Sequence, residues 1–132
     1  MTFDHIAIAV ADLDAAIALW TSSFGLVCEH REDVPAQKVR VAFLRSGGPG
    51  ARIELIQATD PGAGVARFLG ERGAALHHVA FEVADLAGAL AETPLPKVDV
   101  APRPGAEGRQ VAFLHPRATG GVLVEWVGEA GA

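Results

Sequence analysis

One eleven-residue pattern occurs twice in this chain, at 3–13 (FDHIAIAVADL) and 76–86 (LHHVAFEVADL). That restricts the chain to folds assembled from two copies of one unit. Superposed, His5 falls on His78, Ala7 on Ala80, Val10 on Val83, Asp12 on Asp85 and Leu13 on Leu86. At a similar distance after each copy comes VAFL, at 41–44 and 111–114, followed by a Gly-rich turn. Each turn leads into an apolar run with one carboxylate inside it, IELIQ around Glu54 and LVEWV around Glu125.

The elements follow from periodicity. Residues 3–10 alternate, with His5 and Ala7 on one face and Ile6 and Ile8 on the other, as in a strand. Asp12 is a good N-cap, and Leu13, Ala16, Ile17, Trp20 and Phe24 recur at helical spacing until Gly25 ends the helix. A short strand over 26–30, a polar connection (REDVPAQK), and strands VRVAFLR and ARIELIQ complete the first unit. The glycines 47, 48 and 50 read as a hairpin turn, because no helix follows them as a phosphate loop requires. A turn and a short helix over about 62–73 link the units. The second unit has a strand at 77–83, a helix capped by Asp85 and halted by Pro94 and Pro96, a loop over 101–108, and last strands at RQVAFLHP and GVLVEWV. The tail GEAGA is expected to fray. One domain over 1–132 is expected, with module one at about 1–58 and module two at about 75–128.

Composition narrows the functions. At 132 residues the chain can bury one real core. A net charge of −5 and few aromatics argue against nucleic-acid binding. No apolar run reaches the roughly 18 residues of a membrane span, and no secretory signal is seen. The single cysteine, Cys28, cannot form an internal disulfide, which fits the cytoplasm.

Chemistry points to the repeated polar residues. A carboxylate among Ile, Leu, Val and Trp is costly to bury unless paired or metal-bound, and here that happens twice. If the units pack with approximate two-fold symmetry, His5, Glu54, His78 and Glu125 converge. Two imidazoles and two carboxylates suit a divalent first-row metal. His77 points to the opposite face from His78. His30 is read at a strand end, His115 in a turn and Cys28 as a small apolar residue, with no direct chemistry assigned to them.

The paired modules resemble the vicinal oxygen chelate superfamily. Within it, DHIAIAV (4–10), VARFLGERGAALHHVAFEV (65–83), PRPGAEG (102–108) and VAFLHPRATGGVLVEW (111–126) are most similar to methylmalonyl-CoA epimerases. The resemblance implies an α+β fold of two βαβββ modules forming a cupped eight-stranded mixed sheet around a metal site. It implies His5, His78 and Glu125 as metal ligands, with Glu54 at the fourth position. It further implies a divalent ion, cobalt first, with manganese, nickel, zinc or magnesium as alternatives. A homodimer and an acyl-CoA substrate epimerised at its alpha carbon complete the expectation. Lys38, Arg40, Arg103, Arg109 and Arg117 are candidate partners for the coenzyme A phosphates.

One position departs from that pattern. The family's loop acid before a Gln is replaced by Ala36, ahead of Gln37. Glu125 can move the proton as the catalytic carboxylate, a neighbour such as Glu32 or Asp33 can substitute, or the chemistry differs. The rival readings are a glyoxalase I-like lyase and a non-catalytic, ligand-sequestering member.

Overall fold

The computed structural model describes residues 1–129. Its elements in chain order are β1 (Thr2–Val10), α1 (Leu13–Phe24), β2 (Val27–Val34), β3 (Val39–Arg45), β4 (Arg52–Ala58), α2 (Gly64–Leu69), β5 (Ala74–Val83), α3 (Leu86–Glu92), β6 (Arg103–Pro104), β7 (Gln110–Leu114) and β8 (Val124–Gly128). The eight strands are ordered β2-β3-β4-β1-β5-β8-β7-β6 in one mixed sheet. The expected α+β plan and its repetition are therefore present. By compactness the chain divides into residues 5–77 and into residues 1–4 with the segment from His78 onward. The division does not fall where the repeat does, because Asp4 is bonded to Arg109 and Phe3 packs on Phe81.

In the 5–77 unit, Asp12 caps α1 by accepting from the Ala15 amide, and Gly25 ends it at φ 69°. A left-handed residue without Cβ strain is what that stop requires. The inward face of α1 covers Ile8, Val10, Ala42, Leu44 and Leu55, with Leu13 buried among them. The helix ridge breaks off before its end: Phe24, expected on the buried face, is 63% exposed, its ring 5.2 Å from that of Trp20. In the other unit, α3 covers Val83, Ala112, Leu114, Val124 and Trp126 through Leu86 and Leu90.

Several boundaries differ from those expected of the sequence. β2 runs on to Val34 instead of ending at 30, so half of the expected connection is strand. His30 consequently lies in mid-strand, not at a strand end. The reason is cross-strand pairing, which holds Arg31 through Val34 against Ala42 through Val39 despite their charge. The linking helix is only Gly64–Leu69, and the loop over 101–108 contains the two-residue β6. Gly128 closes β8 rather than fraying, and residues 130–132 of the tail lie outside the described residues.

A bulge interrupts β2. Cys28 lies opposite Leu44 but His30 opposite Phe43, leaving Glu29 as the extra residue. Glu29 is held by Arg45 Nε at 3.0 Å and Arg52 at 3.2 Å. Arg45 first, with Arg52 adding to it and against a desolvation penalty, holds its carboxyl below the usual range. A depressed carboxyl pKa means stability that is present at neutral pH and lost as pH falls through the folded value. Glu29→Gln is therefore expected to lower the thermal midpoint slightly at pH 7 and by less at a pH well below the usual carboxylate range. A loss of equal size at both pH values would exclude the ion pairs as its source.

Candidate metal centre

The two modules build the same local arrangement. In the first, Glu54 of β4 lies opposite Ala7 of parallel β1 and opposite Phe43 of antiparallel β3. In the second, Glu125 of β8 lies opposite Ala80 of β5 and Phe113 of β7. Small alanines beside each carboxylate leave room for the preceding strand's histidine to reach it. His5 Nε2 is 3.2 Å from Glu54 Oε1, and His78 Nε2 is 3.5 Å from Glu125 Oε1. Each imidazole meets the edge of its module's phenylalanine, His5 on Phe43 at 5.4 Å and His78 on Phe113 at 5.2 Å. Those ring contacts fix the imidazole planes, so sequence repetition has become repetition of geometry.

All four residues are buried, with exposures of 2% (His5), 6% (Glu54), 4% (His78) and 5% (Glu125). Candidate ligand atoms of His5, Glu54 and His78 lie within 4.8 Å of one another. Glu125 is not in that trio; its Oε1 lies 3.5 Å from His78 Nε2. The donor set fits a small divalent cation. Bonds of about 2.1 Å at right angles put neighbouring donors about 3 Å apart, close to the spacing within each His–Glu pair. Buried carboxylates facing imidazole nitrogens are also what a cation would compensate.

The residues read as bystanders divide. His77 faces Phe68 at 4.9 Å, away from His78's surroundings, and His115 caps the turn at Pro116–Ala118 by accepting from the Arg117 amide. Cys28 packs beside the α1 core. His30 is no bystander: its ring is 6.4 Å from Phe43 and its Nε2 is 2.7 Å from Glu32 Oε1. Local sequence could not reveal this, since the bulge at Glu29 reverses which face residues 30 and 32 occupy. Ala36 is exposed in a tight turn at Pro35–Gln37. Asp33 is exposed and paired with Arg40, whose hydrogen bond holds its carboxyl below the usual range.

The candidate phosphate partners also divide. Arg109 is buried and committed to Asp4 at 2.9 and 3.0 Å, with Glu82 and Glu107 each 3.6 Å from one of the same two terminal nitrogens. Arg103 is half-buried beside Asp99 and over the Phe113 ring. Lys38, Arg40 and Arg117 are exposed.

The sequence profile of the glyoxalase/bleomycin resistance protein/dioxygenase superfamily matches residues 4–113. The chain belongs to that superfamily. Among members of the superfamily, the chain is 35% identical over 127 residues to an ethylmalonyl-CoA/methylmalonyl-CoA epimerase of Cereibacter sphaeroides, covering 92% of this chain and 93% of that one. The Mycobacterium tuberculosis methylmalonyl-CoA epimerase structure superposes with a TM-score of 0.90 at 35% identity, covering 98% of this chain and 88% of that one. A methylmalonyl-CoA epimerase solved with methylmalonyl-CoA and NH4+ gives 0.88 at 33% identity, covering 98% and 95%. As in those superfamily structures, the fold is an eight-stranded mixed sheet with three helices. No helix among the described residues is long and apolar enough to cross a membrane.

Proposed function

We propose that this chain is a metal-dependent methylmalonyl-CoA epimerase, interconverting the (2R) and (2S) thioesters. The observation that carries the reading is the pair of buried His–Glu couples, presented in matching register by a chain similar to such epimerases over nine-tenths of its length. His5, Glu54, His78 and Glu125 would hold the ion. When bound, a divalent cation supplies positive charge that favours electron density on a nearby carbonyl oxygen. Cobalt is the first candidate, with manganese, nickel, zinc and magnesium behind it.

The chain's own residues supply the proton chemistry. The Glu125 carboxylate takes the alpha proton as the C–H bond breaks and its electron pair moves toward the thioester carbonyl. Delivering a proton to the other side of the carbon inverts it. The burial that surrounds Glu125 excludes competing water. Two carboxylates and two imidazoles thus divide the tasks of holding charge and moving protons. The reading extends to a cytoplasmic homodimer, which sedimentation at micromolar protein would show as twice the 13.7 kDa chain mass.

The experiment is exchange of the alpha proton of methylmalonyl-CoA in deuterated water by the metal-loaded protein. Both exchange and inversion are expected. No exchange with metal bound would overturn the epimerase reading and leave the lyase and sequestration alternatives in its place.

A further inference from the structure

The loop acid that the family pattern carries is absent at the exposed Ala36, so a second proton-transfer group has to come from another position. The bulge at Glu29 brings His30 to the sheet face that carries Phe43 and Glu54. Without it, His30 would lie opposite Ala42, in the core beneath α1; with it, His30 lies opposite Phe43. One transverse row then reads His30, Phe43, Glu54 and Ala7 across β2, β3, β4 and β1. The rings of His5 and His30 both pack on Phe43, at 5.4 and 6.4 Å. Glu32, opposite Val41, shares that face and holds His30 Nε2 at 2.7 Å.

Access separates this pair from the ligands. The His30 and Glu32 side chains are 35% and 29% exposed, against 2% and 8% for His5 and Glu54. Its placement is also specifically supported. Glu29, the bulged residue, is held by two arginines, and one of them, Arg52, lies over Phe43 at 4.1 Å. Opposite Val111, which matches Val41 in the repeat, stands Arg103. The imidazole–carboxylate pair is therefore an addition to the first module and not part of the shared scaffold.

We propose that His30 is the second proton-transfer residue of the epimerisation, with Glu32 as its positioning partner. The inference rests on the epimerase reading. With Nε2–H donated to Glu32, Nδ1 is the basic nitrogen. It accepts the alpha proton as the C–H electron pair moves into the thioester carbonyl, and protonated Glu125 returns a proton from the other side. In the opposite direction Glu125 accepts and the imidazolium donates, so each turnover ends with one proton exchanged between the two groups and solvent.

The test follows deuterium into each epimer separately, with metal content measured on every protein. The native protein is expected to exchange and invert both epimers. His30→Gln is expected to retain its metal and exchange the epimer deprotonated by Glu125. Its inversion should fall by about a hundred- to ten-thousand-fold, the usual worth of a positioned acid or base. Glu32→Gln should show the same one-epimer pattern with a smaller loss, and it decides the matter if His30→Gln loses metal. Inversion at the native rate in these variants, or equal loss of exchange from both epimers with metal retained, overturns the role of His30 alone. No exchange by the metal-loaded native protein overturns the epimerase reading and this role together.

Discussion

Returning a divalent ion to the chelator-stripped protein is expected to raise its thermal unfolding midpoint by about 10 °C when the ion is at a hundred times its dissociation constant. That concentration corresponds to about 2.7 kcal/mol of stabilisation through binding the native state only. His5→Ala, His78→Ala together should abolish the response. The physical reason is burial: the four polar side chains are 2% to 8% exposed and have given up their hydration. A bound cation offsets that loss for the carboxylates, and removing both imidazoles leaves it with too few donors. Calorimetry and bound-metal analysis read the effect without any activity assay. Equal midpoints with and without ion in the native protein would exclude the metal site.

Glu125→Gln is expected to reduce inversion by about a hundred- to ten-thousand-fold. The amide keeps nearly the same shape beside Ala80 and Phe113, so the change tests proton acceptance more than packing. It should spare exchange of the epimer opposite to the one spared by His30→Gln. That reciprocity distinguishes two proton-transfer groups from one. Weaker metal retention is expected as well, so rates are compared at saturating ion. Native turnover by a metal-loaded Glu125→Gln protein would place the proton transfer elsewhere.

The internal repeat makes most of the candidate site legible in the order of residues alone. Aligning the two copies selects His5 and His78 from five histidines, and the apolar runs select Glu54 and Glu125. Registers in the fold repeat accordingly, with Ala7 beside Glu54 and Ala80 beside Glu125. Asp12 and Gly25 likewise announce the limits of α1, because capping uses residues within one turn of the helix end. Phe24 escapes the pattern, since periodicity shows which face a residue is on but not how far the neighbouring sheet extends beneath it. β2 outruns its sequence signal because its charged residues, Arg31 through Asp33, look like a loop until β3 supplies their partners.

The sequence by itself therefore determined the two-module plan, the strand and helix types, and which side chains each module offers to the site. Those properties depend on alternation, helical spacing and caps, all set by nearby residues. Only the tertiary structure decided which face His30 and Glu32 occupy. A single extra residue reverses every side chain that follows it in a strand. Here that residue, Glu29, is held by arginines 16 and 23 positions away, on two other strands. Registers between strands are fixed by such distant partners, so a local pattern leaves His30 a bystander while the folded sheet sets it beside the phenylalanine that His5 also touches.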